Sequence, residues 1–347
     1  MAERRDVSIV IPTWNGRQLL DAFLPSVVEA AARYATESQA RIEIVVVDDG
    51  GEDDTLGWLA ARAADWPVVI RGFRQDRNLG FGAASNRGVR EAAYNLVFLL
   101  NNDVAVAPDA IGPLVARFGE PAAGGALFAV HCRVLDFATG REVGTGKIGG
   151  FARGFLRVHK SYVTRDPAIR PLDSVFASGG SAMFDRSAFL ALGGFDPLFA
   201  PFYLEDVEIS YRAWKRGLRV GYEPRAVVRH RFSSTIEPLA GRQVPRIGQR
   251  NRLILHWIHL HDRRWLASHL CWVVILALAG PLTLKPWMTR AVLEAIGRLP
   301  QIRVRRRDER RAATRSDREV VAVFRAMAAH DGIRAYDDPR QLDGPEG

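Results

Sequence analysis

The sequence predicts an α/β fold in which helices alternate with the strands of a doubly wound, mostly parallel sheet. Four short apolar segments give the strand signal: "VSIVI" at 7–11, "IEIVVV" at 42–47, "VVIRGF" at 68–73 and "LVFLL" at 96–100. Runs of this kind are typical of strands buried on both faces. Between them, segments 19–34, 55–64 and 82–94 carry apolar or small residues at helical spacing. Strand–helix–strand alternation favours the doubly wound arrangement.

Length and composition are those of a folded globular protein with one large domain and a smaller appendage. The chain has 347 residues, of which 48% are hydrophobic and 25% charged. Its two cysteines, Cys132 and Cys271, cannot form a disulfide framework or a cysteine-rich zinc site. The N-terminal "MAERRDVSIVIP" has too short an apolar run for a signal peptide. A reducing, cytoplasmic setting is therefore expected.

The formal net charge of +9 is unevenly distributed. Between residues 301 and 318, eight arginines stand against three acidic residues. Such a run is typical of a solvated tail, or of a segment that binds nucleic acid or an anionic lipid surface. Because no aromatic residues are interleaved with the arginines, nucleic acid is not expected as a partner. Taken alone, the run is interpreted as a tail.

Polar side chains follow all four predicted strands. The segments are "PTWN" at 12–15, "DDGGEDD" at 48–54, "RQDRN" at 74–78 and "NND" at 101–103. Open parallel sheets bind ligands beyond the carboxyl ends of their strands, so the four clusters predict one binding site. No G-x-G-x-x-G follows the first strand and no G-x-x-x-x-G-K-[ST] occurs, which argues against a dinucleotide site and a P-loop. A nucleotide site built from side chains remains.

The order of several longer motifs resembles that of family 2 glycosyltransferases, which are inverting enzymes with the GT-A fold. The motifs are "VSIVIPTWNGRQLL", "IVVVDDGGEDDT", "NLGFGAASNRG", "LLNNDV" and the long block from "GGSAMFDRS" to "AVVRH". Together they cover residues 6–230. The "NLGFGAASN" and "LLNND" forms are most similar to the rhamnosyltransferase-like and galactofuranosyltransferase-like bacterial members.

The resemblance implies a nucleotide-sugar donor and a divalent metal, Mg²⁺ or Mn²⁺. Family members end the fourth strand in a D-x-D metal motif, which is replaced here by Asn101-Asn102-Asp103. Asp103 keeps one carboxylate for the metal, and His230 matches a late histidine that similar enzymes use as a further ligand. Mg²⁺ commonly binds one or two carboxylates plus substrate phosphates, so a single carboxylate is compatible with a metal.

The same resemblance implies the residues that bind the nucleotide sugar: Thr13, Asn15, Asp48, Asp49, Arg77, Asn78, Asn101, Asn102, Gly179 and Gly180. Family members use an aspartate after the second strand to accept a hydrogen bond from the pyrimidine base, and the sequence leaves open which of Asp48 and Asp49 does so. The glycines would let backbone approach the sugar or the acceptor, with a packing role as the alternative.

The segment "YLEDVEISYRAWKRGLRV" at 203–220 predicts the catalytic helix. Apolar residues recur there at helical spacing, and Gly217 suits the position that follows a helix, so Glu205 and Asp206 lie at a helix N-terminus. Without the resemblance, an acid pair at this place is interpreted as complementing the helix dipole. The resemblance implies that Asp206 is the general base, with Glu205 beside it. The helix terminus predicts a low pKa for Asp206, which would keep it ionised at neutral pH.

Residues 266–284 are mostly apolar but interrupted, which is marginal for a membrane-spanning helix. Four tryptophans and four basic residues surround the segment: Trp257, Trp265, Trp272 and Trp287, with Arg263, Arg264, Lys285 and Arg290. This combination favours a helix that lies in a membrane interface, with the basic run at 301–318 attracted to anionic headgroups. A buried helix pair packed on the catalytic domain is the alternative.

Three regions are therefore predicted. Residues 1–240 form the GT-A catalytic domain, with a nucleotide-binding half at 1–105 and an acceptor and catalytic half at 106–240. Residues 241–300 form a helical, membrane-associating extension, and residues 301–347 form a basic, partly disordered tail.

The expected function is inverting, metal-dependent transfer from a pyrimidine nucleotide-diphosphate sugar, either a dTDP- or a UDP-sugar and for example dTDP-rhamnose. The acceptor is expected to be a hydroxyl of a lipid-linked glycan in cell-envelope polysaccharide synthesis, at the inner face of the cell membrane. A sugar-phosphate nucleotidyltransferase is one alternative, although "PTWNGRQLL" offers little of the basic, glycine-rich loop it needs. A non-catalytic nucleotide-binding or membrane scaffold protein is the other, because Asn101 replaces a metal-binding carboxylate.

Overall fold

The computed structural model describes residues 5–121, 124–164, 166, 172–231, 243–282 and 286–338. The strands are β1 Val7–Thr13, β2 Ile42–Asp48, β3 Val69–Arg74, β4 Leu96–Leu100, β5 Val104–Val106, β6 Leu127–Asp136, β7 Glu142–Gly144, β8 Gly146–Ala152, β9 Phe155–Thr164, β10 Ser181–Asp185, β11 Arg219–His230 and β12 Ile333–Tyr336. The helices are α1 Arg17–Ser38, α2 Thr55–Ala61, α3 Phe81–Glu91, α4 Ile111–Arg117, α5 Arg186–Ala191, α6 Glu205–Lys215, α7 Gln243–His259, α8 Arg263–Leu282, α9 Pro286–Ile296, α10 Leu299–Ala312 and α11 Asp317–Ala328.

The main sheet has the strand order β3-β2-β1-β4-β10-β6-β11-β5, with β7 paired to β6. The first four of these strands are parallel and are the four predicted from the sequence. Strand β10 then pairs antiparallel to β4, which makes the sheet mixed. The α/β fold class is confirmed, and the carboxyl ends of β1, β2 and β4 meet at one edge.

Strand β3 differs from the prediction of burial on both faces. It is the edge strand of the sheet, and Val69 at its start is 62% exposed. Every residue of β1 and β2, by contrast, is buried. An apolar run alone does not reveal whether a strand is central or lateral, because both positions bury at least one face.

Helix α6 begins at Glu205, as predicted. Its carboxyl end is followed by Gly217 with φ +82°, a left-handed conformation that glycine adopts without a Cβ clash. The helix packs into a core in which Tyr211 and Trp214 are buried.

The C-terminal extension is helical, as expected, and α7 is its buried member. Leu253, Ile254 and Ile258 of α7 are fully buried and pack with Val273 of α8 and Val292 of α9. Throughout the described part of the chain, no helix combines the length and the apolar content needed to span a bilayer. Helices α7, α8 and α9 share one core with Phe155 and Phe199 of the catalytic half.

Two of the four tryptophans of this region pack against protein. Trp257 is buried, and Trp265 stacks on Phe151 of β8 with ring centroids 4.2 Å apart. The interpretation of these side chains as interfacial anchors is wrong for both residues, because apolar partners from neighbouring elements cover them.

The prediction of a tail from residue 301 is also wrong for most of that segment. The arginine run lies on α10, α11 follows it, and β12 pairs antiparallel with β9. Ile302, Val320 and Phe324 are buried. Val320 and Phe324 stand four positions apart on α11, which gives that helix an inner face, and Ile302 is a buried apolar residue of α10. Residues 339–347 lie outside the described part of the chain.

Candidate active site

The polar side chains that end β1 and β4 contact each other. The Asn102 side-chain amide donates a hydrogen bond to the Thr13 hydroxyl over 2.8 Å. Asn15, two residues further along, has φ +48°, and its side-chain oxygen accepts a hydrogen bond from the Glu52 backbone amide. The segments after β1, β2 and β4 are thus tied into one surface, as their register in the sheet predicts.

Asp48 and Asp49 at the end of β2 have different surroundings. Asp48 is fully buried, and one of its oxygens accepts a hydrogen bond from the Gly51 amide while the other lies 3.6 Å from the Arg74 guanidinium. Asp49 accepts hydrogen bonds from the backbone amides of Leu79 and Gly80. Burial raises the pKa of Asp49. Asp49 therefore shapes the loop that follows β3, whichever of the two contacts a base.

Arg77 and Asn78 lie on that loop. The Asn78 side-chain oxygen accepts a hydrogen bond from the Gly80 amide, and a Cβ on Gly50 would meet the Arg77 backbone at 2.5 Å. Arg77 lines, with Arg74 and other residues, an open cavity of about 540 Å³. The loop is thus held against the end of β2 and presents guanidinium groups beside the site.

Asp103 and His230 are brought together by the sheet. His230 ends β11 and pairs with Val104 of β5, so its Nε2 lies 2.9 Å from Asp103 Oδ1. Both side chains are largely buried. Among the residues that the structure describes, no third histidine, cysteine, aspartate or glutamate completes a cluster of metal ligands. The two predicted ligands are adjacent.

Gly179 and Gly180 contact both Asn101 and the predicted base Asp206. The Gly180 carbonyl accepts a hydrogen bond from the backbone amide of Asn101. A Cβ on Gly180 would lie 2.5 Å from the Asn101 side chain. The Gly179 amide donates to Asp206 Oδ2 over 3.2 Å. The glycines therefore allow Asn101 and Asp206 to approach the same short stretch of backbone.

Asp206 and Glu205 stand side by side at the start of α6. The Val207 and Gly179 amides donate to Asp206, whereas Oε2 of Glu205 is buried with no hydrogen-bond partner. Burial raises the pKa of Asp206, so the low value predicted from the helix terminus is wrong in direction. Burial and the neighbouring charge of Asp206 raise the pKa of Glu205 to about 8. Desolvation thus outweighs the helix dipole here.

Glu205 also lines a cavity of about 250 Å³ between α3 and the segment from Phe195 to Pro201. Gln75 and Leu79 lie on its other side. The cavity joins the loop that Asp49 shapes to the start of the catalytic helix.

Asn251 on α7 is a residue of the site that the sequence did not reveal. Its fully buried side-chain amide donates to three carbonyl oxygens of the loop that leads into α6. The acceptors are Phe199, Phe202 and Tyr203, at 2.7, 3.1 and 2.8 Å. Its neighbour Arg250 donates to Ala200 in the same loop. A single asparagine within a helix matches no motif, so only the structure identifies it.

Comparison with known proteins agrees with this fold. A family profile described as "Glycosyl transferase family 2" matches residues 8–193, and one described as "Glycosyl transferase family group 2" matches residues 151–297. The chain therefore belongs to glycosyl transferase family 2. The rhamnosyltransferase-like or galactofuranosyltransferase-like subtype stays a prediction.

Two curated relatives match different lengths of the chain. An undecaprenyl-phosphate 4-deoxy-4-formamido-L-arabinose transferase of Pseudomonas syringae is 37% identical over 111 residues, which is 31% of each protein. A poly-beta-1,6-N-acetyl-D-glucosamine synthase of Staphylococcus aureus is 23% identical over 226 residues, 65% of this chain and 50% of the relative. The chain thus spans half or less of these relatives.

Three solved structures share the fold. GalNAc-T7 with UDP, GalNAc and Mn²⁺ has a TM-score of 0.61 at 18% identity, over 84% of this chain and 55% of that one. Staphylococcus aureus TarS 1–349 with UDP-GlcNAc has a TM-score of 0.53 at 15% identity, over 96% of this chain and 97% of TarS 1–349. The Pyrobaculum calidifontis mannosyltransferase PcManGT with GDP-Man and Mn²⁺ has a TM-score of 0.52 at 18% identity, over 95% of this chain and 89% of PcManGT. The GT-A fold is confirmed.

Proposed function

We propose that this protein transfers a sugar from a pyrimidine nucleotide-diphosphate donor to a hydroxyl group, with inversion at the anomeric carbon. The observation that carries the proposal is that Asn101, which precedes the Asp103–His230 pair, contacts Gly180 while Asp206 contacts the adjacent Gly179. Inverting transfer needs groups for the leaving diphosphate and a base on opposite sides of the sugar. The arrangement of these side chains fits that requirement.

The residues after β1 and β2 would hold the nucleotide. Thr13 and Asn15 lie beside the buried carboxylates of Asp48 and Asp49, where a base N–H group can be accepted. Two of the structures that share the fold contain UDP or UDP-GlcNAc, whereas PcManGT contains GDP-Man. A UDP- or dTDP-sugar is our proposed donor, with dTDP-rhamnose as an example.

A divalent metal fits the pair formed by Asp103 and His230. A carboxylate oxygen and an imidazole nitrogen, side by side and largely buried, are suitable ligands for Mn²⁺ or Mg²⁺ when substrate phosphates supply the others. Two of the structures that share the fold contain Mn²⁺. When bound, such an ion would neutralise charge on the diphosphate leaving group.

Asp206 would act as the base. Its carboxylate is positioned by the amides of Gly179 and Val207, and its raised pKa makes it a better proton acceptor than an ordinary aspartate. The acceptor oxygen forms a bond to the anomeric carbon while the bond from that carbon to the diphosphate oxygen breaks. The hydroxyl proton passes to Asp206, and the nucleoside diphosphate leaves on the opposite face.

The proposed acceptor is a lipid-linked glycan in cell-envelope polysaccharide synthesis. The relative from Pseudomonas syringae is named for an undecaprenyl-phosphate substrate, and the relative from Staphylococcus aureus for a polysaccharide product. The cavity beside Glu205 offers room for an acceptor group close to the proposed base.

Calorimetric binding and a transfer assay test this proposal together. Wild type is expected to bind UDP or dTDP more tightly with Mn²⁺, and Asp103→Ala to lose that metal-dependent gain, about tenfold or more. Asp206→Asn is expected to bind the nucleotide normally while transfer falls by about 10²-fold or more, because the base is removed. Asp21→Asn, at an exposed position of α1, is the matched control.

The results that would contradict the proposal are distinct. Absence of nucleotide binding under every condition would favour a scaffold protein over a glycosyltransferase. Unchanged transfer by Asp206→Asn would place the base at another residue.

A further inference from the structure

Helices α8 and α9 share an outward surface rich in apolar side chains. Large hydrophobic residues on it are between 45 and 68% exposed. They are Leu270, Val274, Ile275, Leu278, Leu293 and Ile296, which we call the apolar face. Exposed apolar side chains scattered singly need no explanation, but a contiguous set marks an interaction surface.

The two helices present this face side by side. The Thr289 hydroxyl of α9 donates a hydrogen bond to the Ala277 carbonyl of α8 over 2.9 Å. Leu278 is adjacent to Ala277, and Leu293 lies one turn beyond Thr289. The opposite sides of both helices are buried in the core with α7. The exposed side chains are therefore a surface of a fixed helix pair.

The charges around the apolar face are positive. Helix α8 begins with Arg263 and Arg264, both exposed, and its sequence contains no acidic residue. On α9, the side chain of Arg290 is 73% exposed, and the Glu294 carboxylate is already paired with Arg290 and Arg246. An apolar surface bordered by arginines complements a bilayer that carries anionic headgroups.

We propose that the apolar face docks this protein onto an anionic membrane surface, with α8 and α9 lying in the plane of the interface. A second copy of the chain fits the face less well, because a symmetric contact would bring the arginines of two copies together. Helix α7, which holds the loop before Asp206, packs beneath this pair. Docking would therefore place the proposed active site near lipid, a consequence that rests on the proposed function.

Vesicle co-sedimentation of the full chain tests the docking without donor or acceptor, so its outcome is independent of the transfer assay. Wild type is expected to pellet with vesicles of phosphatidylcholine mixed with phosphatidylglycerol, and less with phosphatidylcholine alone or at high salt. The double variant Leu278→Asp/Leu293→Asp is expected to bind about tenfold more weakly or worse, because two charges enter the apolar contact.

Two comparisons separate docking from loss of folding. Val69→Asp introduces one negative charge at a residue as exposed as Leu293, on the edge strand β3, and is expected to bind like wild type. Arg263→Gln/Arg264→Gln leaves the apolar side chains in place and is expected to lose the preference for anionic vesicles. Melting temperatures of the variants close to that of wild type would show that each is folded.

Three outcomes would overturn the proposal. One is wild type that stays in the supernatant with anionic vesicles at low salt. Another is undiminished binding by the folded double variant at Leu278 and Leu293. The third is a wild-type dimer in solution, measured by light scattering, that the same double variant converts to monomer, which would assign the apolar face to a second copy of this chain.

Discussion

At the scale of single residues, Asp206 and Glu205 are suited to different protonation states, Asp206 to the charged form and Glu205 to the neutral form. Asp206 accepts two backbone hydrogen bonds, which stabilise its charged form. Glu205 has a buried oxygen with no partner and a pKa of about 8, so it carries a proton at neutral pH. A protonated carboxyl that lines a cavity can donate a hydrogen bond to a ligand there. One carboxyl is therefore suited to accept a proton and the other to donate a hydrogen bond.

Glu205→Gln tests this division, because glutamine has the shape of a protonated glutamate and does not titrate. The pKa of Glu205 is raised above its unfolded value, so burying this group favours folding most below about pH 4.5, and that stability is lost as the pH rises through about 8. The variant is expected to melt at a higher temperature than wild type at pH 8 but not at pH 4. Its transfer activity at neutral pH is expected to stay near that of wild type.

Thermal melts and the pH profile of kcat/KM check this prediction, with Glu52→Gln as the exposed control. If Glu205→Gln abolished transfer at every pH, the ionised form of Glu205 would be required. Glu205 and not Asp206 would then be the better candidate for the base.

The sequence predicted the positions of these residues better than their ionisation. Asp103 and His230 lie 127 positions apart, yet the resemblance to family 2 glycosyltransferases sufficed to predict that they lie together. The pKa of Asp206 depends on which groups cover it. The helix dipole lowers this pKa, but burial raises it by more, so the predicted direction of the pKa shift was wrong.

At the scale of elements, α7 supports the segment that precedes the catalytic helix. Tyr203 and Leu204 have φ of +74° and +71°, a conformation that costs free energy in residues with a Cβ. Asn251 holds this segment by hydrogen bonds to its carbonyl groups. The extension is thus a structural part of the site, which the predicted boundary near residue 240 does not convey.

Asn251→Asp is expected to disturb catalysis more than donor binding. A carboxylate cannot donate to the loop carbonyls, so the loop would move and carry Asp206 with it. Misplacement of a base by about 1 Å costs roughly 10²-fold in rate, and we expect a fall in kcat of this order with little change in KM for the donor.

Steady-state kinetics of Asn251→Asp and of Gln243→Ala, at an exposed position of the same helix, measure this effect. Equal losses in the two variants would point to general damage to α7. A rise in KM alone would show that Asn251 supports donor binding and not the position of the base.

The parallel strands could be predicted from the sequence, whereas the burial of the last helices, α10 and α11, could not. Strands β1, β2 and β4 are continuous apolar runs, since both of their faces are buried. In α10 the buried apolar residue Ile302 stands among many arginines, and in α11 the inner face is formed by Val320, Val321 and Phe324. Their burial depends on partners distant in the sequence, such as Trp214 against Phe324.

At the scale of the whole molecule, buried polar groups join the C-terminal helices to the catalytic half. Asp317 of α11 accepts hydrogen bonds from Lys215 and Tyr211 of α6. His259 of α7 lies 2.6 Å from the Glu208 carboxylate. All of these polar groups are buried, and separation of the elements would break each of these contacts, although Glu208 would keep Arg212 of its own helix. The helices and the catalytic half are expected to unfold together.

His256 and His269 mark where this assembly is sensitive to acid. The rings of the two buried histidines stack 4.8 Å apart between α7 and α8 and contact the hairpin of β8 and β9 through Leu156 and Gly154. Burial lowers the pKa of His269 to about 4 and that of His256 well below its usual range. Both rings are therefore neutral in the folded protein at neutral pH.

Acid is accordingly expected to destabilise the whole molecule through these two rings. A depressed folded pKa contributes stability that is present above the unfolded value of 6.5 and is lost as the pH falls through about 4. For each proton that the protein takes up on unfolding, the free energy of unfolding falls by about 1.4 kcal/mol per unit of decreasing pH in this window. Denaturant unfolding between pH 7 and pH 4 should therefore show a steeper loss of unfolding free energy for wild type than for His256→Gln/His269→Gln. His330→Gln, beyond the end of α11, should follow wild type, and equal slopes for wild type and the double variant would show that the acid-sensitive groups lie elsewhere.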